Sequence, residues 1–211
     1  MVRARARTRR STGFGNRPWS EWDVDGRRME LLRAFTFTDP AGTTWTAPSG
    51  AVVDGASIPQ VFWSILGGPY EGEYRDASIV HDHECFIRLR PWRDVHRMFH
   101  QACLAGGVRP LKARLMYAAV YLFGPRWTLT SKRSRLAPLR SYDEAIRVTA
   151  WVRANPECTL DSIDAEEARG TPCSVSSRVI AQERATLDKR RVSVIDKRRR
   201  IDALLDHRAY P

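Results

Sequence analysis

Four of the chain's five histidines, His81, His83, His96 and His100, fall within a stretch of twenty residues, and Asp82, Glu84, Cys85, Asp94 and Cys103 lie among or just beyond them. Imidazole, carboxylate and thiolate are the side chains that move protons near neutral pH and bind metal ions, so this density marks a candidate chemical centre. Two chemistries fit it. In one, His81 is a general base that activates a water while Asp82 holds a cation that polarises a carbonyl. In the other, His81, His96 and one of Cys85, His100 or Asp54 ligate zinc, whose preferred donors include neutral imidazole and thiolate. A structural role competes with both, with His81 and His96 as hydrogen-bonded core histidines and Asp82 as a local cap or ion-pair partner. Asp54, in an Asp-Gly pair, reads as a third ligand, an orienting partner for His81, or an Asx turn leading into the helix at Pro59.

These residues need elements that bring them together. Tyr74 to Arg88 and Pro91 to Ala105 both read as helices, and so few residues join them that they should return antiparallel as a helical hairpin. Counting outward from Leu89, His81 lies eight residues before and Arg97 eight after, so His81 should face His96 or Arg97. His100 and Cys103 follow His96 at i+4 and i+7, on one helical face. Two further helices are expected, Leu111 to Phe123 and Tyr142 to Asn155. The first carries Leu115, Ala118, Ala119 and Leu122 at helical spacing and is expected to be the central buried helix. Upstream, Met29 to Thr38 and Thr43 to Ala47 flank Asp39-Pro40-Ala41-Gly42 and predict a β-hairpin. A short helix is expected over Gln60 to Leu66, stopped by Gly67-Gly68-Pro69.

The fold class is therefore mainly α with a small N-terminal β-hairpin, an α+β chain with an antiparallel helical hairpin at its core. Residues 1–18 read as a basic disordered arm, 19–157 as the globular domain and 158–175 as a linker. Residues 176–211 read as a long basic C-terminal helix, whose apolar residues Ile180, Leu187, Val194 and Ile201 come once per seven, too thin a stripe for a coiled coil.

The chain has 211 residues and a net charge of +11. That charge sits at the ends: residues 1–17 hold six arginines and no acid, residues 178–211 carry a net +5, and the middle is neutral. Basic extensions on a neutral body predict contact with acidic protein surfaces or nucleic acid through residues 1–17 and 178–211. No apolar run is long enough to predict a transmembrane segment. The arginine-rich start lacks the apolar stretch of a cleaved signal. Four cysteines without a CxxC pair predict free thiols in a reducing compartment. There is no GxSxG nucleophile elbow, no P-loop and no Rossmann glycine fingerprint. No histidine precedes His81, so the further upstream ligand that an HD-type phosphohydrolase needs is missing.

Together, Trp45-x-x-Pro48-x-Gly50, Asp54-Gly55-Ala56-Ser57-Ile58-Pro59, Phe62-Trp63, Gly67, Ala77, His81-Asp82, Trp92, His96-Arg97-x-Phe99, Gly107-Val108, Met116-Tyr117-x-Ala119-Val120 and Gly124-Pro125-x-Trp127 resemble an uncharacterised family. That family, known only as a domain of unknown function, is found in bacteriophages and bacteria. The resemblance covers about residues 40–127. More weakly, the His81-Asp82 helix and its antiparallel partner resemble the catalytic helix pair of phospholipase A2, in which the His activates water and the Asp helps to bind calcium. That likeness implies a calcium loop at Gly67-Gly68-Pro69-x-x-Gly72. Cys85 stands where those enzymes usually have Tyr, and His96 where a carboxylate orients the catalytic His. Two facing nitrogen donors suit a transition metal better than calcium.

These readings lead to a phage- or prophage-type protein with a His-Asp metal-assisted hydrolase-like site, esterase- or phospholipase-like, using zinc or calcium, with His81, Asp82 and His96 as its catalytic candidates. The alternative is a non-enzymatic virion or assembly component that docks on other phage structural proteins through its basic arm and tail. The expected location is the cytoplasm of a bacterial host, or the virion.

Overall fold

The computed structural model describes residues 12–22, 28–53, 72–130, 134–136, 142–168, 176–186 and 188–189. Asp54, the Asp54–Pro59 motif, the expected helix at Gln60 to Leu66, Gly67 to Pro69, Cys173, and most of the basic arm and tail lie outside the described residues.

The architecture is α+β and mainly helical. Among the described residues, eight short strands occur in order: β1 (Gly13–Phe14), β2 (Ser20–Trp22), β3 (Met29–Leu31), β4 (Phe35–Thr38), β5 (Thr44–Ala47), β6 (Val52–Val53), β7 (Pro125–Trp127) and β8 (Ser134–Leu136). The helices are α1 (Arg75–Ile87), α2 (Trp92–Ala105), α3 (Pro110–Phe123), α4 (Tyr142–Ala154) and α5 (Leu160–Ala168), with residues 177–186 also helical.

The predicted hairpin is β4–β5, antiparallel, with Phe35 opposite Ala47 and Thr38 opposite Thr44. Its turn is fixed by the buried Asp39, which accepts hydrogen bonds from the Thr43 amide at 2.8 Å and from Trp45 Nε1 at 2.9 Å. Both bonds satisfy a carboxylate that burial would otherwise penalise. Alternation puts Phe35 and Phe37 into the core and their neighbours outward. A second small sheet runs β2-β3-β6.

Two sequence expectations differ from the fold. Residues 12–18, expected to belong to the disordered arm, include β1, which pairs with β4, and Phe14 lies 5.4 Å from Phe35 and 5.3 Å from Phe37. One aromatic on a free strand edge suffices for this and makes no readable period. Within the stretch expected to be a linker, α5 buries Ile163 and Glu166, and its Asp164 accepts hydrogen bonds from Tyr117 Oη and from Arg97, both at 2.6 Å. Both partners come from other helices and cannot be read locally.

The helical hairpin is present. Helix α1 ends on Arg88, which takes the left-handed conformation at φ 55° and donates its amide to the Glu84 carbonyl. Helix α2 starts after Pro91. Helix α3, entered through Pro110, buries every residue from Leu115 to Leu122 and is the central helix, with α2 and α4 against it. Among the described residues, no helix is long and apolar enough to cross a membrane.

Candidate metal centre

The hairpin places His81 and Cys85 of α1, one turn apart on one face, against His96 of α2. His81 Nε2 lies 2.9 Å from His96 Nδ1, and Cys85 Sγ is 3.6 Å from the same Nε2. One donor atom from each residue falls within 4.8 Å of the other two, a group that could hold a metal ion. Tetrahedral zinc, with bonds of about 2.0 Å to nitrogen and about 2.3 Å to sulfur, separates two nitrogens by about 3.3 Å and nitrogen from sulfur by about 3.6 Å. Cys85 Sγ also lies 3.9 Å from His81 Nδ1, over the imidazole and not beyond Nε2, so the His81 ring must turn, and the two rings part by about 0.4 Å, for one ion to meet all three donors.

The surroundings are dry and aromatic. His81 and His96 have no exposed surface and Cys85 is buried. The His81 ring packs on Phe99 at 4.6 Å, and His96 lies between Trp92 at 5.5 Å and Trp127 at 6.4 Å. Burial first, then the neighbouring His81 and the Arg126 charge, hold His96 well below the usual imidazole range, against a smaller opposing pull from the Pro125 backbone. His96 is therefore neutral and keeps a lone pair for an ion.

Ligating histidines commonly give their second ring nitrogen to a carboxylate or a backbone carbonyl. Here, the buried Asp82 Oδ1 lies 3.7 Å from His81 Nδ1, beyond hydrogen-bond distance, and the buried His96 Nε2 makes no hydrogen bond among the described residues, although the Pro125 backbone favours a proton on that ring. Asp82 thus sits behind His81 rather than in the three-donor group. Gly124 brings the chain so close that a Cβ there would lie 3.1 Å from both Nε2 and Cε1 of His96.

Of the residues singled out from the sequence, the fold unites His81, Cys85 and His96 and sets Asp82 beside them. His100 lies one turn further along α2, with its ring 6.1 Å from Tyr117 of α3, and burial and then Arg114 lower its pKa to about 4. The Cys103 thiol is buried and pushed far up, so it stays protonated. Arg97, the other residue expected opposite His81, pairs instead with Asp161 and Asp164. A surface groove of about 460 Å³ between the β4–β5 turn and α2 is lined by Asp39, Trp45, Arg90, Asp94 and Arg97 among others, and holds none of the three donors.

The roles of Trp92, Phe99, Gly124 and Trp127 around the imidazoles escape residue-by-residue reading. Their only signal in the sequence is membership of the motifs that carry the family resemblance.

Two proteins of Sinorhizobium fredii (strain NBRC 101917 / NGR234) are similar to this chain. Uncharacterized protein y4jT is 50% identical over 111 residues, covering 52% of this chain and 33% of that protein. Uncharacterized protein y4iH is 40% identical over 99 residues, covering 46% of this chain and 41% of that protein. The chain thus spans between a third and about two fifths of the length of these relatives. No solved structure matches the chain. Residues 29–120, which run from β3 through most of α3 and contain all three donors, match the family described as Protein of unknown function (DUF1353).

Proposed function

We propose that the chain works through a zinc ion held by His81, Cys85 and His96, as a metal-assisted hydrolase-like domain of phage or prophage type. The observation that carries this reading is the convergence of two imidazoles and one thiol within 4.8 Å on two facing helices. Nitrogen and sulfur donors favour zinc over calcium, which takes oxygen ligands. Three protein ligands leave one position of a tetrahedron for water, and zinc bound there supplies Lewis acidity and a nucleophile at neutral pH. The chain's own residues set the geometry: Asp82 orients His81, Gly124 and Pro125 fix His96, and the aromatic rings exclude bulk water. An ester or an amide is the substrate class such chemistry serves.

One observation favours a second reading. His81 and His96 are wholly buried, as in closed structural sites, so the ion would instead staple the hairpin of a non-enzymatic virion or assembly component.

The test is thermal unfolding after chelation and then with excess zinc or calcium. A ligand at a hundred times its Kd adds about 2.7 kcal/mol, and each kcal/mol raises Tm by roughly 2–4 °C in a chain of this size. A zinc-specific rise that His81→Ala abolishes is expected; equal responses in the wild type and the variant would refute the site. Zinc-dependent hydrolysis of activated esters would then select the enzymatic reading, and its absence from zinc-loaded protein the stapling one.

A further inference from the structure

The far end of the same hairpin carries a feature that the metal centre does not use. Between the last turn of α1 and the first of α2 the chain reads Phe86-Ile87-Arg88-Leu89-Arg90-Pro91-Trp92-Arg93, five apolar residues interleaved with three arginines and no acid. Phe86 is 80% exposed and Leu89 61%, the two most exposed large apolar side chains among the described residues. Soluble proteins seldom spend two such side chains on one turn without a partner.

Geometry explains why the turn projects. The left-handed Arg88 ends α1 abruptly, and its Nε donates to the Cys85 carbonyl at 3.1 Å, so the reversal is rigid and carries its own positive charge. Behind it, the half-buried Trp92 lies between two guanidinium groups, Arg93 at 4.5 Å and Arg126 at 4.8 Å from its ring. The tip therefore presents an apolar point backed by an amphipathic aromatic ring and a collar of guanidinium charge.

We infer that this tip docks on the surface of an anionic lipid membrane, with Phe86 and Leu89 entering the boundary between headgroups and acyl chains and Arg88 and Arg93 meeting lipid phosphates. Apolar side chains outermost, a tryptophan at headgroup depth and basic residues around them make up the pattern of an interfacial element that lies on a bilayer without crossing it. A nucleic acid would use the arginines but gains nothing from an exposed leucine. An acidic protein surface would meet the charge but offers less to Phe86 and Leu89, whose exposed apolar side chains a lipid surface can take up.

The test is co-sedimentation of the full chain with phosphatidylglycerol vesicles and with phosphatidylcholine vesicles at physiological salt. Phe86→Ser/Leu89→Ser keeps every charge, including those of the basic ends, and alters side chains outside the core. It is expected to unfold like the wild type and to lower partitioning onto phosphatidylglycerol at least tenfold. Arg88→Gln/Arg93→Gln should lower it too and flatten its salt dependence. Unchanged partitioning of the serine pair, equal wild-type binding to both lipids, or no wild-type binding to phosphatidylglycerol would each overturn the inference. So would a serine pair that loses duplex DNA while keeping the vesicles.

Discussion

His81 Nε2 and His96 Nδ1 meet at 2.9 Å across the α1–α2 hairpin, with Cys85 Sγ 3.6 Å from the first of them. At that distance the two nitrogens share one proton; parted by about 0.4 Å, they could share an ion instead. Each state fixes the rings differently, because an ion sends the remaining proton of His81 to Nδ1, where the Asp82 carboxylate lies. The same three side chains can therefore close the helical hairpin in two ways.

Cobalt reports ligand identity directly. Loaded with Co²⁺, the protein should show a thiolate-to-metal charge-transfer absorption that Cys85→Ser removes. His100→Gln, one turn away and facing Tyr117, should leave the band intact. A band that survives Cys85→Ser would assign the sulfur to another cysteine and dissolve the proposed donor set.

Asp82 is argued to act through His81. Its replacement by Asn keeps the shape, removes the charge behind Nδ1, and should weaken zinc binding by about 10- to 100-fold while the three ligands remain. Competition with a chromophoric chelator measures this. An Asp82→Asn protein that binds no zinc at all would instead make Asp82 a ligand.

Much of this was legible before any coordinates. The short joint between two helical segments places His81 opposite His96 or Arg97, and the hairpin at Asp39 to Gly42 follows from turn chemistry alone. Zinc's preference for nitrogen and sulfur brings Cys85 into the candidate set. What stayed hidden rests on long-range contacts: Trp127 and Gly124 reach His96 from beyond α3, and Asp164 reaches Tyr117 across 47 residues. The period of an element shows which face is buried but not which residue it meets. The strand at Phe14 was hidden for a different reason, since two paired residues make no pattern.

Gly124 tests the packing behind His96. Its φ of −70° is open to any residue. The added methyl, however, would clash with the Val120 carbonyl oxygen, so the backbone at the end of α3 must shift, and it would press on His96 at 3.1 Å. We expect a loss of about 1–3 kcal/mol from overpacking, together with weaker zinc binding. Denaturant unfolding of the zinc-free protein separates the two effects; unaltered stability and unaltered affinity would show that the neighbourhood yields.

The docking of α5 rests on Asp164, which takes one hydrogen bond from Tyr117 and one from Arg97. Tyr117→Phe removes the first and leaves the carboxylate with its arginine, so the cost should be about 1–2 kcal/mol. Asp164→Ala strands a buried phenol and leaves Arg97 with Asp161 as its remaining carboxylate, and it should cost more than Tyr117→Phe. Urea midpoints at constant m-value decide the order, and equal midpoints would mean that the Asp164 hydrogen bonds contribute nothing to the fold.

Stability against pH should carry the mark of His100. Burial and then Arg114 lower its folded pKa to about 4, while its ordinary value is 6.5. Above pH 6.5 both the folded and the unfolded chains hold a neutral ring, so the group contributes no slope. Between 6.5 and 4 the unfolded chain takes up a proton that the folded chain refuses, so stability falls as pH falls. Below 4 both forms are charged and the decline from this residue stops. The shift corresponds to roughly 3 kcal/mol at 1.36 kcal/mol per pKa unit, and partial exposure of the ring reduces this to about 1–2 kcal/mol. Glu84 and Asp76, raised by burial, slope the other way over part of the same range, so the measurement is a difference: the zinc-free wild type against His100→Asn. The variant should lose less stability between pH 6.5 and 4 than the wild type. Parallel curves would place the acid sensitivity elsewhere and leave His100 as a packing residue against Tyr117.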